Sequence, residues 1–254
     1  MSLTYDPRDA NVLRDPHATF ARLREEAPVH FNEVLSAWVI TDYASTEQLL
    51  MRTAGASADR LTPFAVRLQE PNRSLADEVL RWLGLWMVFR DAPDHTRLRR
   101  HLTASVNPRV VKRLDGPIRA ATTTILDRLP AGEPFDLLDE FAMVLPGWVV
   151  LDLLGVPRER LAEVQGWSED MMVFIGSARG VDDKYQRAKR GAYAMAELFQ
   201  GLVDERKAEP QDDVISQLLA SDIKGDRLTD EEIGRACVGK ECTVLCRSRW
   251  SPYH

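Results

Sequence analysis

At 254 residues and 44% hydrophobic composition, the chain is long enough for one sizeable core or two small ones. Its net charge of −6 and isoelectric point near 5.5 argue against a nucleic-acid or anionic-membrane binder, because phosphate affinity needs a net basic face. No apolar run reaches bilayer-spanning length, and the N-terminus MSLTYDPRDANVLRDP lacks the basic-then-apolar layout of a signal peptide, so a cytoplasmic location is expected.

In chain order the first helix is predicted in DPHATFARLREEAPVHF, residues 15–31. Asp15 caps it, Pro16 takes the first helical position, Phe20, Leu23 and Ala27 share one face, and it closes before Pro28. AWVITDY, 37–43, reads as a short strand through its β-branched Val39 and Ile40, ended by Asp42 capping the helix YASTEQLLM. SLADEVLRWLGLW, 74–86, has helical spacing through Leu75, Val79, Leu80 and Leu83, with Ser74 as cap and Asp77 three residues on, a near miss of the capping box. Segments 109–129, 136–154, 159–175 and 182–208 also carry apolar residues at three- and four-residue spacing, and strand signal is scarce after residue 43.

DAPDHTRLRRHLTASVNPR, 91–109, concentrates charge beside an apolar stripe. Asp91 and Pro93 mark a helix start and Asn107-Pro108 its end. At about 100° per residue, Leu98, Leu102, His95, Val106 and Arg99 fall within an arc of about 100°, with Arg97 and Arg100 on the far side, facing solvent. A guanidinium at a buried seam needs a partner, and His95 adds a second donor one turn away. Two partners are open: an anion of carboxylate geometry, or an internal Asp or Glu.

The three cysteines, Cys237, Cys242 and Cys246, fit no zinc or redox spacing, so no metal site is expected.

FRDAPDHTRLRRHLTASVNPR resembles the C-helix segment of soluble bacterial cytochromes P450, with Ala92 where the family has its first proline and Val106-Asn107 for Phe-Thr. The likeness continues in order along the chain: 15–31 resembles the family's A helix, AWVITDYASTEQLL its first strand and B helix, PFDLLDEFAMVLPGWVVLDLLGVP, 134–157, its E-helix region, and DDVISQLLASDIKGDRLTDEEIGRACV, 212–238, the approach to its I helix. The resemblance implies a mainly α fold with a small β component, residues 1–238 forming the N-terminal part of that fold and 239–254 a foreign or out-of-frame tail. It makes His95 and Arg99 donors to a haem propionate, and lays Met87 and Val88 against the porphyrin. Segment 60–88 becomes the variable loop over a substrate pocket, with Trp82, Trp86, Met171 and Phe174 as an apolar lining that ordinary core packing also explains. The implied chemistry is O₂-dependent monooxygenation of a small apolar molecule, with electrons from a ferredoxin-type donor.

The family's cysteine loop, mid-I-helix acid and threonine, and K-helix E-x-x-R have no counterpart in order here. EVLR, 78–81, precedes the C-helix match, and EIGR, 232–235, sits at the start of the I-helix match, so neither serves as that motif. An inactive, truncated P450 is therefore expected, with apolar faces of 136–154 and 159–175 left wet. The alternatives are a haem-free P450-like helper of a biosynthetic glycosyltransferase or one half of a split haem enzyme.

Overall fold

The structure, a computed structural model, describes residues 5–51, 55–106, 108–175 and 181–234. Two compact units are present, one ending at Ser57 and the other beginning at Ala58.

The first unit opens with a short helix α1, Ala10–Arg14, and then α2, Pro16–Glu26. Asp15 accepts the Ala18 N–H at 3.0 Å, Pro16 fills the first turn, and Leu23 is fully buried, as the Asp-Pro signature and the apolar spacing predict. A β-hairpin follows, β1 Val29–Asn32 and β2 Ala37–Ile40, antiparallel with Phe31 opposite Trp38. Only β2 was expected, and β1 lies where the sequence reads as the tail of the A-helix segment. Buried Asn32 pins the turn: its Oδ1 accepts the Leu35 N–H and its Nδ2 donates to the Tyr5 carbonyl. Asp42 then accepts the Ser45 N–H at 2.8 Å, launching α3, Tyr43–Met51.

In the second unit, α4 (Leu61–Arg67) and α5 (Asn72–Leu83) replace the single loop-plus-helix expected for 60–86. The predicted cap is wrong. The helix starts at Asn72, and the Ser74 hydroxyl, already inside it, bonds the Glu70 carboxylate at 2.7 Å. A 3-10 turn, Met87–Phe89, leads into α6 (Asp94–Ser105), α7 (Pro108–Arg113) and α8 (Asp115–Leu126). A π turn, Leu138–Ala142, precedes α9 (Val144–Leu154), and a 3-10 turn, Arg158–Arg160, precedes α10 (Leu161–Ile175). Helices α11 (Lys184–Ala208) and α12 (Val214–Ala220) follow, then a turn bridging Ile223 and Asp226 and a further helix described over 230–234.

The centre of this unit is the pair α10 and α11. They meet at Gly191, where a Cβ would stand 2.5 Å from the Trp167 carbonyl oxygen, so only glycine permits this approach. Two ion-pair groups hold the pair, one between its two helices and one from α11 to the segments around it. Buried Asp170 on α10 takes Arg187 at 2.7 Å and Arg190 at 2.6 Å from α11, and buried Arg206 donates to Asp213 at 2.5 Å and to the Gly155 carbonyl. Gly155 ends α9 with φ of 68°, and a Cβ there would lie 2.5 Å from both Arg206 and Asp213.

The wet faces expected over 136–154 and 159–175 are observed only in part. Leu151, Leu154, Val164 and Met171 are buried, because α11, α8 and α12 pack on these helices. Leu137 and Leu138, within 136–154, are each 59% exposed, and Val66, Val88 and Leu126 are exposed elsewhere. No helix among the described residues is long and apolar enough to cross a membrane.

Candidate functional site

Helix α6 sorts its polar side chains differently from the expected arc. Its buried residues are Leu98, His101 and Ser105, with Leu102 half-buried. At 100° per residue these centre the seam on Leu98 and place Arg97 and Arg99 about equally far to either side, so periodicity alone leaves both at the rim. Partners decide between them.

Arg97, expected in solvent, is drawn inward. Its Nε donates to Asp226 at 2.9 Å, Nη1 to Glu232 at 2.6 Å, and Nη2 to the second Glu232 oxygen at 3.1 Å and to the Arg227 carbonyl. These bonds raise the guanidinium pKa further above its already high ordinary value, those to Glu232 most and those to Asp226 next. Glu232 is held in place by the helix it begins: its carboxylate accepts the Thr229 N–H and the Thr229 hydroxyl accepts the Glu232 N–H, a reciprocal capping box. Glu232 also belongs to the EIGR sequence, whose acid therefore serves as a partner for α6.

His101, fully buried, completes the cluster. Nδ1 lies 2.8 Å from the Ser221 hydroxyl and Nε2 3.2 Å from the second Asp226 oxygen. A carboxylate only accepts, so Nε2–H donates to Asp226, while Nδ1 pairs with the Ser221 hydroxyl. Asp226 is thereby held below the usual carboxylate range, first by His101 and then by Arg97.

His95 is half-buried and Arg99 exposed. The side chain of neither makes a hydrogen bond or ion pair among the described residues. The 3-10 turn carrying Met87 and Val88 packs on α6, with Met87 half-buried and Val88 58% exposed. One turn of α6 therefore presents two uncommitted donors next to apolar surface, and the neighbouring arginine is already neutralised.

The four residues expected to line one pocket are not brought together. Trp86 and Met171 are core, Met171 packing beneath Gly191. Trp82 lines an open cleft with Tyr193 and Glu197, and Phe174 borders a separate cavity with Phe64 and Phe89. In the other decoy, EVLR, Glu78 pairs with Lys189 on α11 at 2.7 Å. Cys237, Cys242, Cys246 and the tail 239–254 lie outside the described residues.

No family model matches the chain. Over 233 residues it is 33% identical to cytochrome P450 107B1 of Saccharopolyspora erythraea, a match taking in 89% of this chain and 54% of that protein. It is 27% identical over 237 residues to a steroid C26-monooxygenase of Mycolicibacterium smegmatis, covering 88% and 53%. Its fold matches that of cytochrome P450 CYP109Q5 from Chondromyces apiculatus with a TM-score of 0.76 at 26% identity, over 96% of this chain and 57% of that one. These relatives and structural neighbours are bacterial cytochromes P450, and this chain is similar to their N-terminal part. It spans about half the length of these relatives and corresponds to the N-terminal part of the P450 fold, mainly α with its small sheet.

P450s hold haem, and the donors present suit that group's carboxylates. His95 and Arg99 are the right chemistry, one turn apart and uncommitted, whereas Arg97 has no charge to spare.

Proposed function

We propose that this chain supplies the propionate-binding and substrate-facing portion of a haem-thiolate monooxygenase acting on a small apolar molecule in the cytoplasm, with a ferredoxin-type protein as electron donor. The observation that carries the reading is the division of labour on α6: Arg97 is consumed by Asp226 and Glu232, and His95 and Arg99 are left for an external carboxylate. In this reading Arg99 donates to one propionate and His95 to the same or its neighbour, while Met87 and Val88 give the ring an apolar edge. Thiolate-bound haem, when present, supplies the activation of O₂ for insertion of one oxygen atom into substrate. The role of this chain's own residues is to bind and orient that group and to shield it from water.

The 254 residues contain neither a glycine-rich cysteine loop nor an E-x-x-R in family order, so by themselves they are proposed not to turn over substrate. The test is the spectrum of the purified chain after haem addition, reduction and CO binding. No thiolate-type red-shifted Soret band is expected, and a clear one would overturn the proposal of inactivity.

A further inference from the structure

The cavity that Phe174 borders has a volume of about 110 Å³, and six of the eight described residues that line it are apolar: Leu61, Phe64, Leu83, Phe89, Phe174 and Ile175. Leu83, Phe89 and Phe174 belong to the core, whereas Leu61, Phe64 and Ile175 are half-buried and pack against it. The rings meet by their edges. Phe64 on α4 stands perpendicular to Phe174 on α10 with centroids 5.4 Å apart, and Phe174 meets Tyr185 at 5.8 Å and 67°. Phe89 stacks on Trp86 at 6.2 Å. The two other lining residues, Arg60 and Lys184, lie over the rings of Phe89 and Tyr185.

We infer that this cavity is a subsite for one unfused aromatic ring of the substrate, with Phe64 as the residue that sets its size limit. The inference rests on the monooxygenase reading and narrows its substrate class from small apolar molecules to those that carry a single ring. A dry cavity of about 150 Å³ lined by Leu, Ile and Phe binds benzene, so 110 Å³ is of the size of one six-membered ring and too small for two fused ones. Aromatic rings attract one another by edge and face beyond what buried area supplies, and a saturated ring of the same size forgoes that gain. Of the three phenylalanines only Phe64 lies outside the core, so shortening it enlarges the cavity and leaves the core side chains in place.

The test uses the 254-residue chain with three neutral probes that share a hydroxymethyl group: benzyl alcohol, cyclohexylmethanol and 1-naphthalenemethanol. Dissociation constants are measured by calorimetry or saturation-transfer NMR. Benzyl alcohol is expected to bind roughly threefold or more tightly than cyclohexylmethanol. The naphthyl probe should bind more weakly than benzyl alcohol, although it offers more apolar surface. Phe64→Ala should tighten the naphthyl probe about tenfold with one-to-one stoichiometry, and Phe64→Leu by less. Val66→Ala, at an exposed position of the same helix, should change none of the three affinities. An unfolded variant gains no stoichiometric site, so the gain itself reports a folded protein. Equal affinity for the benzyl and cyclohexyl probes, tightest binding of the naphthyl probe by the unsubstituted chain, no gain in either Phe64 variant, or no saturable binding overturns the inference. The monooxygenase reading is decided by a different readout, haem retention and its dependence on His95 and Arg99. Ring selectivity without that dependence refutes the reading and leaves the cavity a ring site, and that dependence without ring selectivity refutes this inference alone.

Discussion

Replacing Arg97 with Ala should damage the fold more than any other single change among the exposed and half-exposed charges of α6. The substitution removes one guanidinium that donates to Asp226, to both oxygens of Glu232 and to the Arg227 carbonyl. Breaking a fully buried pair costs about 3–5 kcal/mol and an exposed pair about 0–1 kcal/mol. With side chains 31%, 33% and 22% exposed, this cluster falls between those limits, at about 2 kcal/mol. For a domain of this size each kcal/mol moves the midpoint by about 2–4 °C, giving a fall of roughly 4–8 °C. Thermal melting of Arg97→Ala and Arg100→Ala side by side, with Glu232→Gln and the double variant closing a cycle, measures it. The cycle should return a coupling of about 1 kcal/mol or more. Equal melting of Arg97→Ala and Arg100→Ala would show that the Arg97 contacts contribute nothing in solution.

Acid should act on the same cluster. Burial by itself raises the Glu232 pKa, but Arg97 and the Thr229 backbone outweigh it, and Asp226 is lowered by His101 and Arg97. Both folded pKa values are thus depressed, so their stabilisation is present above the unfolded values near 4 and lost as pH falls through the folded ones; denaturant titrations from pH 7 to 3 should show an acid limb that Arg97→Ala flattens. Gly191→Ala, which drives a methyl into the Trp167 carbonyl, should cost about 1–3 kcal/mol in a denaturant midpoint. Asp213→Asn leaves buried Arg206 with only the largely exposed Glu205 as counter-charge and should cost about 3 kcal/mol, read from the same urea curves.

What could be read from the sequence was whatever local chemistry decides. Asp15-Pro16 and Asp42 mark helix starts because a carboxylate beside free N–H groups needs no distant partner. β1 was missed because Val29–Asn32 is too short for a clear alternation and becomes a strand only by pairing with 37–40. Ser74 misled because a serine before an apolar run is equally content inside a first turn, bonded back to Glu70. On α6 the error was one of rotation. His101 and Ser105 are polar, so hydrophobic periodicity left them off the seam, yet Ser221, Asp226 and the helix backbone satisfy them and they lie inside. The T-x-x-E at Thr229–Glu232 was a legible capping box, and a fixed carboxylate there was the available hint that Arg97 had a partner. The four residues expected to line one pocket show the remaining limit: spacing identifies buried side chains, and only three-dimensional packing separates a core methionine such as Met171 from a cavity wall such as Phe174.

The assignment of α6 is tested most directly by haem retention in this chain completed with the cysteine-bearing C-terminal portion of cytochrome P450 107B1. Transfer of haem to apomyoglobin is followed for the parent and for Arg99→Ala, His95→Ala and Arg97→Ala. A charge-assisted bond of roughly 1.5–3 kcal/mol corresponds to about ten- to a hundredfold weaker retention for Arg99→Ala, with His95→Ala smaller. Arg97→Ala, whose charge serves Asp226 and Glu232, should lower the melting temperature and leave retention within about threefold of the parent. Equal haem loss from the Arg97 and Arg99 variants, or none from Arg99→Ala, would contradict the division of labour on which the account rests.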